Sequence, residues 1–226
     1  MNTSALSGQV ILLTGAALGI GRALAQGLAA QGASLVLLDH RVSDLETLYD
    51  AIEQAGGPQP AIAPLNLETA GPRDYQALAD KLSETFGRLD ALLHNAALLG
   101  PLTPLDEYPP DTWHEVMQAN VNGPFLLTQA CLPLLRAAPA PRVLFTTHRA
   151  ARAHDAYWGA YAVSKAAVEA LASVLREENS GLRVELVDPP LVHTGLVLEA
   201  YPGKDLSTLP EPASLLPLYL RCLLPA

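Results

Sequence analysis

This chain of 226 residues is poor in charge, in cysteine and in long apolar runs. Charged residues make up 16% against 50% hydrophobic ones, which excludes a disordered or highly charged tail protein. Lysine and arginine total 14 against 23 acids, for a net charge of -9. The basic residues are scattered, so the clustered cationic footprint that nucleic acid requires is missing. The two cysteines, Cys131 and Cys222, each sit in an apolar stretch and read as thiols buried in a reducing compartment. Their spacing alone cannot support a disulfide. None of the six histidines stands at a ligand spacing with cysteines or acids, so no metal is expected. Met1 to Gly8 shows no basic region followed by an apolar run, and no apolar stretch reaches bilayer length. A soluble cytoplasmic protein without nucleic-acid or membrane partners is the expectation.

The apolar content suffices for a full core in one domain spanning residues 1–226. Strand-like runs at 10–14, 34–39, 61–67, 91–95, 142–147 and 183–187 alternate with helix-period segments at 19–31, 42–55, 72–86, 111–136 and 156–179. The tail from Pro189 to Pro212 reads as irregular, and Pro212 to Leu224 as an apolar closing helix. Continuously apolar strands separated by helices predict an α/β fold with a doubly wound parallel sheet, whose ligands bind beyond the strand C-termini.

Between the first strand and first helix lies Thr14-Gly-Ala-Ala-Leu-Gly-Ile-Gly21. Its glycines at 15, 19 and 21 allow a sharp turn and close approach to a pyrophosphate, which the helix N-terminus would hold. Asp39 ends the second strand, where a carboxylate can accept both ribose hydroxyls of an adenosine and would repel a 2′-phosphate. NAD is therefore favoured over NADP, and Arg41 could soften that preference. Tyr161 and Lys165 stand four residues apart on one helix face, about 6 Å of rise. A cation so placed is expected to lower the phenol's pKa, making Tyr161 a general acid or base for an alcohol/carbonyl pair.

With His94-Asn95-Ala96-Ala97, Asn120, Asp188-Pro189-Pro190 and Thr194 following in order, the chain resembles the short-chain dehydrogenase/reductase family over roughly residues 8–200. The resemblance implies a Rossmann fold, NAD or NADP as cofactor, and an alcohol or carbonyl substrate. It implies cofactor contacts from Thr14, Gly15, Gly19, Ile20 and Gly21, from Asn66 and Leu67 at the adenine edge, and from Asn95 and Ala96. Lys165 would hold the nicotinamide ribose, Thr194 would meet the carboxamide, and Asn120 would order a water beside Lys165. Tyr161, Lys165, Asn120 and His148 make up the implied catalytic set. It also implies a strand order of 3-2-1-4-5-6 without the usual terminal strand, and a homodimer formed through the long helices.

Three positions depart from the family pattern. The serine expected thirteen residues before Tyr161 is His148. Its ring could replace the hydroxyl as a donor to the substrate carbonyl, or its presence marks lost chemistry. Thr147 is expected to point to the opposite face. Pro190 replaces a loop glycine, fixing φ and removing an N–H. Ala97 replaces another glycine. The leading reading is an oxidoreductase moving hydride between a nicotinamide cofactor and an alcohol/carbonyl pair. The alternative is a weakly active or non-catalytic dinucleotide-binding scaffold or sensor. Leu98, Leu99, His154, Tyr157, Trp158 and residues 196–201 are the expected pocket walls, with a substrate loop around 190–212.

Overall fold

The computed structural model describes residues 4–148 and 156–224. Six parallel strands form one sheet in the order β3-β2-β1-β4-β5-β6, a Rossmann-like arrangement flanked by helices. They are β1 (Val10–Thr14), β2 (Ser34–Asp39), β3 (Ala61–Pro64), β4 (Ala91–His94), β5 (Arg142–Thr146) and β6 (Arg183–Val187). In register, Ile11 stands between Leu35 of β2 and Ala91 of β4, and all five residues of β1 are buried. Strand order turns back between β1 and β4, and this switch point sets the site.

Alternate side chains of the strands feed two cores. On one face Leu12, Val36, Leu92, Val143 and Phe145 pack with helices α3 (Pro72–Phe86), α5 (Gly123–Arg136) and α6 (Gly159–Glu178). On the other, Ile11, Leu13, Leu35, Leu93 and Leu144 pack with α1 (Gly19–Ala30), α2 (Val42–Gln54) and α8 (Leu216–Leu223). Each fully buried leucine is worth roughly 2 kcal/mol. Local signals set the helix ends. Pro72 opens α3 after the Gly71 N–H donates to Asp74 at 2.8 Å, and left-handed Gly87 closes it.

Several expected boundaries shift. β3 stops at Pro64 rather than Leu67, and residues 66–70 form a turn in which the Ala70 N–H donates to the Asn66 carbonyl. The helix expected from Ala156 starts at Gly159, because Tyr157 has φ +77° and Gly159 φ +43°. The long helix expected from Asp111 to Arg136 is α4 (Pro110–Met117) and α5 joined by a π-turn over Gln118–Asn122. Pro124 lacks the N–H that would reach the Asn120 carbonyl, so the ladder swells and the Gly123 N–H donates to Gln118 instead. The tail is not irregular throughout: Thr194 caps the short helix α7 (Gly195–Ala200). The closing helix begins as a 3₁₀ turn at Pro212–Leu215. β6 pairs with β5 alone among the described strands, and Arg183 reaches the carbonyl of Leu224 just past α8. Among the described residues no helix is long and apolar enough to cross a membrane.

Candidate active site

A cavity of about 540 Å³ opens at the C-terminal ends of the strands, over the switch point. Its floor is the turn after β1. Gly15 has φ +66°, and a Cβ there would lie 2.8 Å from the Ala96 Cα. A Cβ on Gly21 would meet the Gly15 carbonyl oxygen at 1.9 Å. Backbone has closed on backbone, so both positions require glycine. Asn95 Nδ2 donates to the carbonyls of Thr14 (3.3 Å) and Gly15 (3.4 Å), tying β4 to that turn. Thr14 Oγ1 accepts from the N–H groups of Asn95 and Ala96, both at 3.1 Å. Thr14 is buried as a strut and is not on the cavity wall, and Gly19 and Gly21 also lie off it; Gly15, Ile20, Asn95 and Ala96 line it. Helix α1 starts with no side-chain cap and no acid in its first turn, which leaves N–H groups and a partial positive charge for an anion.

At one end stands Asp39, whose Oδ2 accepts from the Ala17 N–H (3.2 Å) and Oδ1 from the Arg41 N–H (3.1 Å). His40 Nδ1 lies 3.3 Å from the same carboxylate, and both His40 and Arg41 line the cavity. Asn66 and Leu67 line it opposite, with Asn66 Oδ1 accepting from the Glu68 N–H at 3.0 Å. Close-packed glycines, an uncapped helix start and an acid at the end of β2 on the cavity wall fit a dinucleotide.

At the other end stand His148, Tyr161 and Lys165. Lys165 is 4% exposed; its Nζ donates to the Thr146 carbonyl at 3.0 Å and lies 5.4 Å from the Tyr161 ring centre. Burial holds this amine down at about 8. The expected fall in the Tyr161 pKa does not occur. The phenol is 3% exposed, and burial, with Tyr201 adding to it, pushes its pKa well above the ordinary value. Desolvation outweighs the lysine's pull. Tyr161 Oη lies 3.5 Å from His148 Nδ1. Asn120 is buried off the cavity wall and serves as a clamp. Its Nδ2 donates to the Leu98 carbonyl (2.8 Å) and to Ser164 Oγ (3.0 Å), and its Oδ1 accepts from the Leu98 N–H at 2.7 Å. Both amide hydrogens are spent on protein groups, leaving neither for a water beside Lys165.

A model of the family described as short chain dehydrogenase matches residues 9–204. The chain belongs to the short-chain dehydrogenase family. It is 41% identical over 216 residues to the uncharacterized oxidoreductase YciK of Escherichia coli K12, covering 95% of this chain and 86% of that protein. A Shigella flexneri 2a protein crystallised with NADP superposes with a TM-score of 0.96 at 39% identity, covering 99% of this chain and 94% of that one. An Escherichia coli CFT073 protein crystallised with NADPH gives the same TM-score and identity over 100% and 94% of the two chains.

Within this short-chain dehydrogenase frame the walls are only partly those expected. Leu98, Leu99, Leu196 and Val197 line the cavity. Trp158 and Tyr201 instead pack edge to face off the wall, with ring centroids 5.7 Å apart and Trp158 5.8 Å from Tyr161. Tyr157 is 58% exposed and off the wall, and His154 lies outside the described residues. Thr194 lines the cavity while its Oγ1 accepts from the Val197 N–H at 3.3 Å. Thr147 Oγ1 donates to Glu169 at 2.5 Å. Sequence reasoning missed Glu169 as that partner and missed Glu68 on the wall, whereas Glu199, within the expected 196–201 stretch, lines it. Glu68 sits half-buried in the turn after β3 and Glu169 half-buried on α6, and an acid at either place leaves no mark on the apolar period.

Proposed function

We propose that this short-chain dehydrogenase is a nicotinamide-dependent oxidoreductase acting on an alcohol/carbonyl pair. The observation that carries the reading is the shared cavity: a glycine turn and uncapped helix at one end, a buried phenol beside a buried ammonium at the other. The dinucleotide, when bound, supplies the hydride donor or acceptor. Gly15, Ile20, Asn95 and Ala96 would cradle it, Asp39, Asn66 and Leu67 would meet the adenosine, and Lys165 and Thr194 the nicotinamide half. Gly21 and Thr14 hold the turn from beneath. Tyr161, kept neutral by burial, gives its proton to a carbonyl oxygen on reduction. Leu98, Leu99 and Leu196 favour an apolar substituent on the substrate.

Asp39 favours NAD by placing a negative charge where a 2′-phosphate would sit. His40 and Arg41 beside it reduce that preference without reversing it, although two relatives were crystallised with NADP and NADPH. We also propose a homodimer through α5 and α6, whose Phe125 and Val163 are 45% and 43% exposed; a monomer by sedimentation at micromolar concentration would refute it.

Thermal stabilisation by NAD+, NADH, NADP+ and NADPH, followed by a ketone and alcohol screen, tests the reading. Binding with turnover that is lost in Tyr161→Phe supports it. Binding without turnover would favour the scaffold alternative, and no stabilisation by any dinucleotide would defeat both.

A further inference from the structure

Where the family carries a serine, this chain carries a group able to hold a proton. His148 Nδ1 lies 3.5 Å from the Tyr161 hydroxyl, and catalytic hydrogen bonds that are long without substrate tighten when it binds. The imidazole is fixed by two edge contacts, with centroids 5.7 Å from Trp158 and 6.0 Å from Tyr161. Among the described residues its buried Nε2 has no hydrogen-bond partner, so Nδ1 is the nitrogen that meets a polar group there.

The phenol needs such a neighbour. A neutral Tyr161 takes a proton from an alcohol only by releasing its own. The Lys165 ammonium has no lone pair to receive it and is already bonded to the Thr146 carbonyl. Among the described residues, the charged and titratable groups around the imidazole are Lys165 and Tyr161 from α6 and Asp188 beyond β6, with Tyr201 of α7 reaching the same phenol. Burial and the Lys165 charge hold the His148 pKa below its ordinary value, with Asp188 opposing them, so the ring is neutral at pH 7.

We propose that His148, as its Nε2–H tautomer, is the proton acceptor of Tyr161, forming a relay from substrate oxygen through the phenol to the imidazole. The proposal rests on the oxidoreductase reading above and replaces the carbonyl donor expected from the sequence. In the oxidation direction the alcohol O–H breaks and its proton passes to Tyr161 Oη. The Tyr161 proton passes to Nδ1, giving an imidazolium. The carbinol C–H leaves as hydride to the oxidised dinucleotide, and the C=O bond forms. The imidazolium then returns its proton to water. Reduction runs the same transfers backward and starts from the imidazolium.

Nitrogen-15 NMR of histidine-labelled full-length protein, with and without NAD+ or NADP+, tests this directly. The His148 signals are assigned by their loss in His148→Gln. The expected spectrum shows an unprotonated Nδ1 and a protonated Nε2. In Tyr161→Phe the His148 pKa should rise by about half a unit to one unit, because a bond to the neutral ring is lost. Alcohol oxidation should fall as pH drops through the His148 titration, and His148→Gln should lose that acid limb and at least ~10-fold in rate. A protonated Nδ1, or an unchanged titration in Tyr161→Phe, would overturn the relay even where the dinucleotide binds and turns over. Failure of the parent protein to bind any dinucleotide would overturn the oxidoreductase reading with it, while the spectra of the free protein still report the tautomer.

Discussion

Replacing Lys165 by methionine should make the protein more stable while removing its activity. The side chain is 4% exposed, and among the described residues its ammonium has one protein hydrogen bond, to the Thr146 carbonyl. Burial lowers its pKa from 10.5 to about 8, which corresponds to a penalty of about 3 kcal/mol for keeping the charge inside. Below pH 8 both folded and unfolded chains hold the proton and the penalty is complete. Between pH 8 and 10.5 the unfolded chain binds more protons, so stability rises with pH and the penalty fades. Methionine fills a similar volume without charge. Allowing for imperfect repacking, Lys165→Met should gain roughly 2 kcal/mol at pH 7, or ~4–8 °C in Tm for a chain of this size. Urea unfolding of both proteins at pH 7 and pH 9.5 is the assay. The gain should shrink at the higher pH, and turnover should be absent at both. A variant less stable than the parent at pH 7, or a gain equal at the two pH values, would refute the argument that this lysine is kept for chemistry at a cost in stability.

His94 makes the opposite end of the pH range informative. Buried, stacked 4.7 Å from Phe145 and bonded through Nε2 to Thr128 at 2.8 Å, it is held down to about 3 by desolvation. The unfolded chain therefore binds the extra proton from pH 6.5 downward, and stability should fall by up to about 1.4 kcal/mol per pH unit. A His94→Gln variant should show a shallower acid slope in urea titrations between pH 7 and 5. Gly21→Ala, whose Cβ would sit 1.9 Å from the Gly15 carbonyl, should abolish stabilisation by NAD+ and lower Tm by several degrees. Asp39→Ser should shift the NADP+ to NAD+ affinity ratio toward NADP+ by about 5- to 30-fold, from removal of one nearby negative charge worth ~1–2 kcal/mol; calorimetric Kd values for both dinucleotides check it.

The strands were legible because each is a continuous apolar run between helix-period segments; their order was not, since such a series suits more than one doubly wound sheet, and it came from the family resemblance. The glycine turn was legible for the same local reason. Asn120 was found by its place in the chain, but its work was not: the partners Leu98 and Ser164 lie 22 and 44 residues away, and spacing cannot show them. The Tyr161 expectation failed on depth. Four-residue spacing places a cation near the phenol but says nothing of how thoroughly both are desolvated, and burial proved the larger effect. The break in the long helix had a readable sign in Gly123-Pro124, overridden by the unbroken apolar period around it. For Thr147, strand alternation was not enough: it lines the same cavity as His148, and its hydroxyl turns to Glu169 on α6, the helix that carries Tyr161.

The swollen turn at Gln118–Asn122 also bears on how this protein can change over evolutionary time. Such a turn contains one residue more than a regular helix of the same span. Deleting that residue would let the ladder close into a regular helix of the same span, with α4 and α5 kept in phase. Trp113 would stay against Tyr108, and Val116 beside Gly100. A single-codon loss in this stretch is therefore absorbed, whereas the same loss within α4 or α5 would turn one part of the helix by about 100° against the other. The swollen turn is thus where relatives that keep this site should differ in the number of residues.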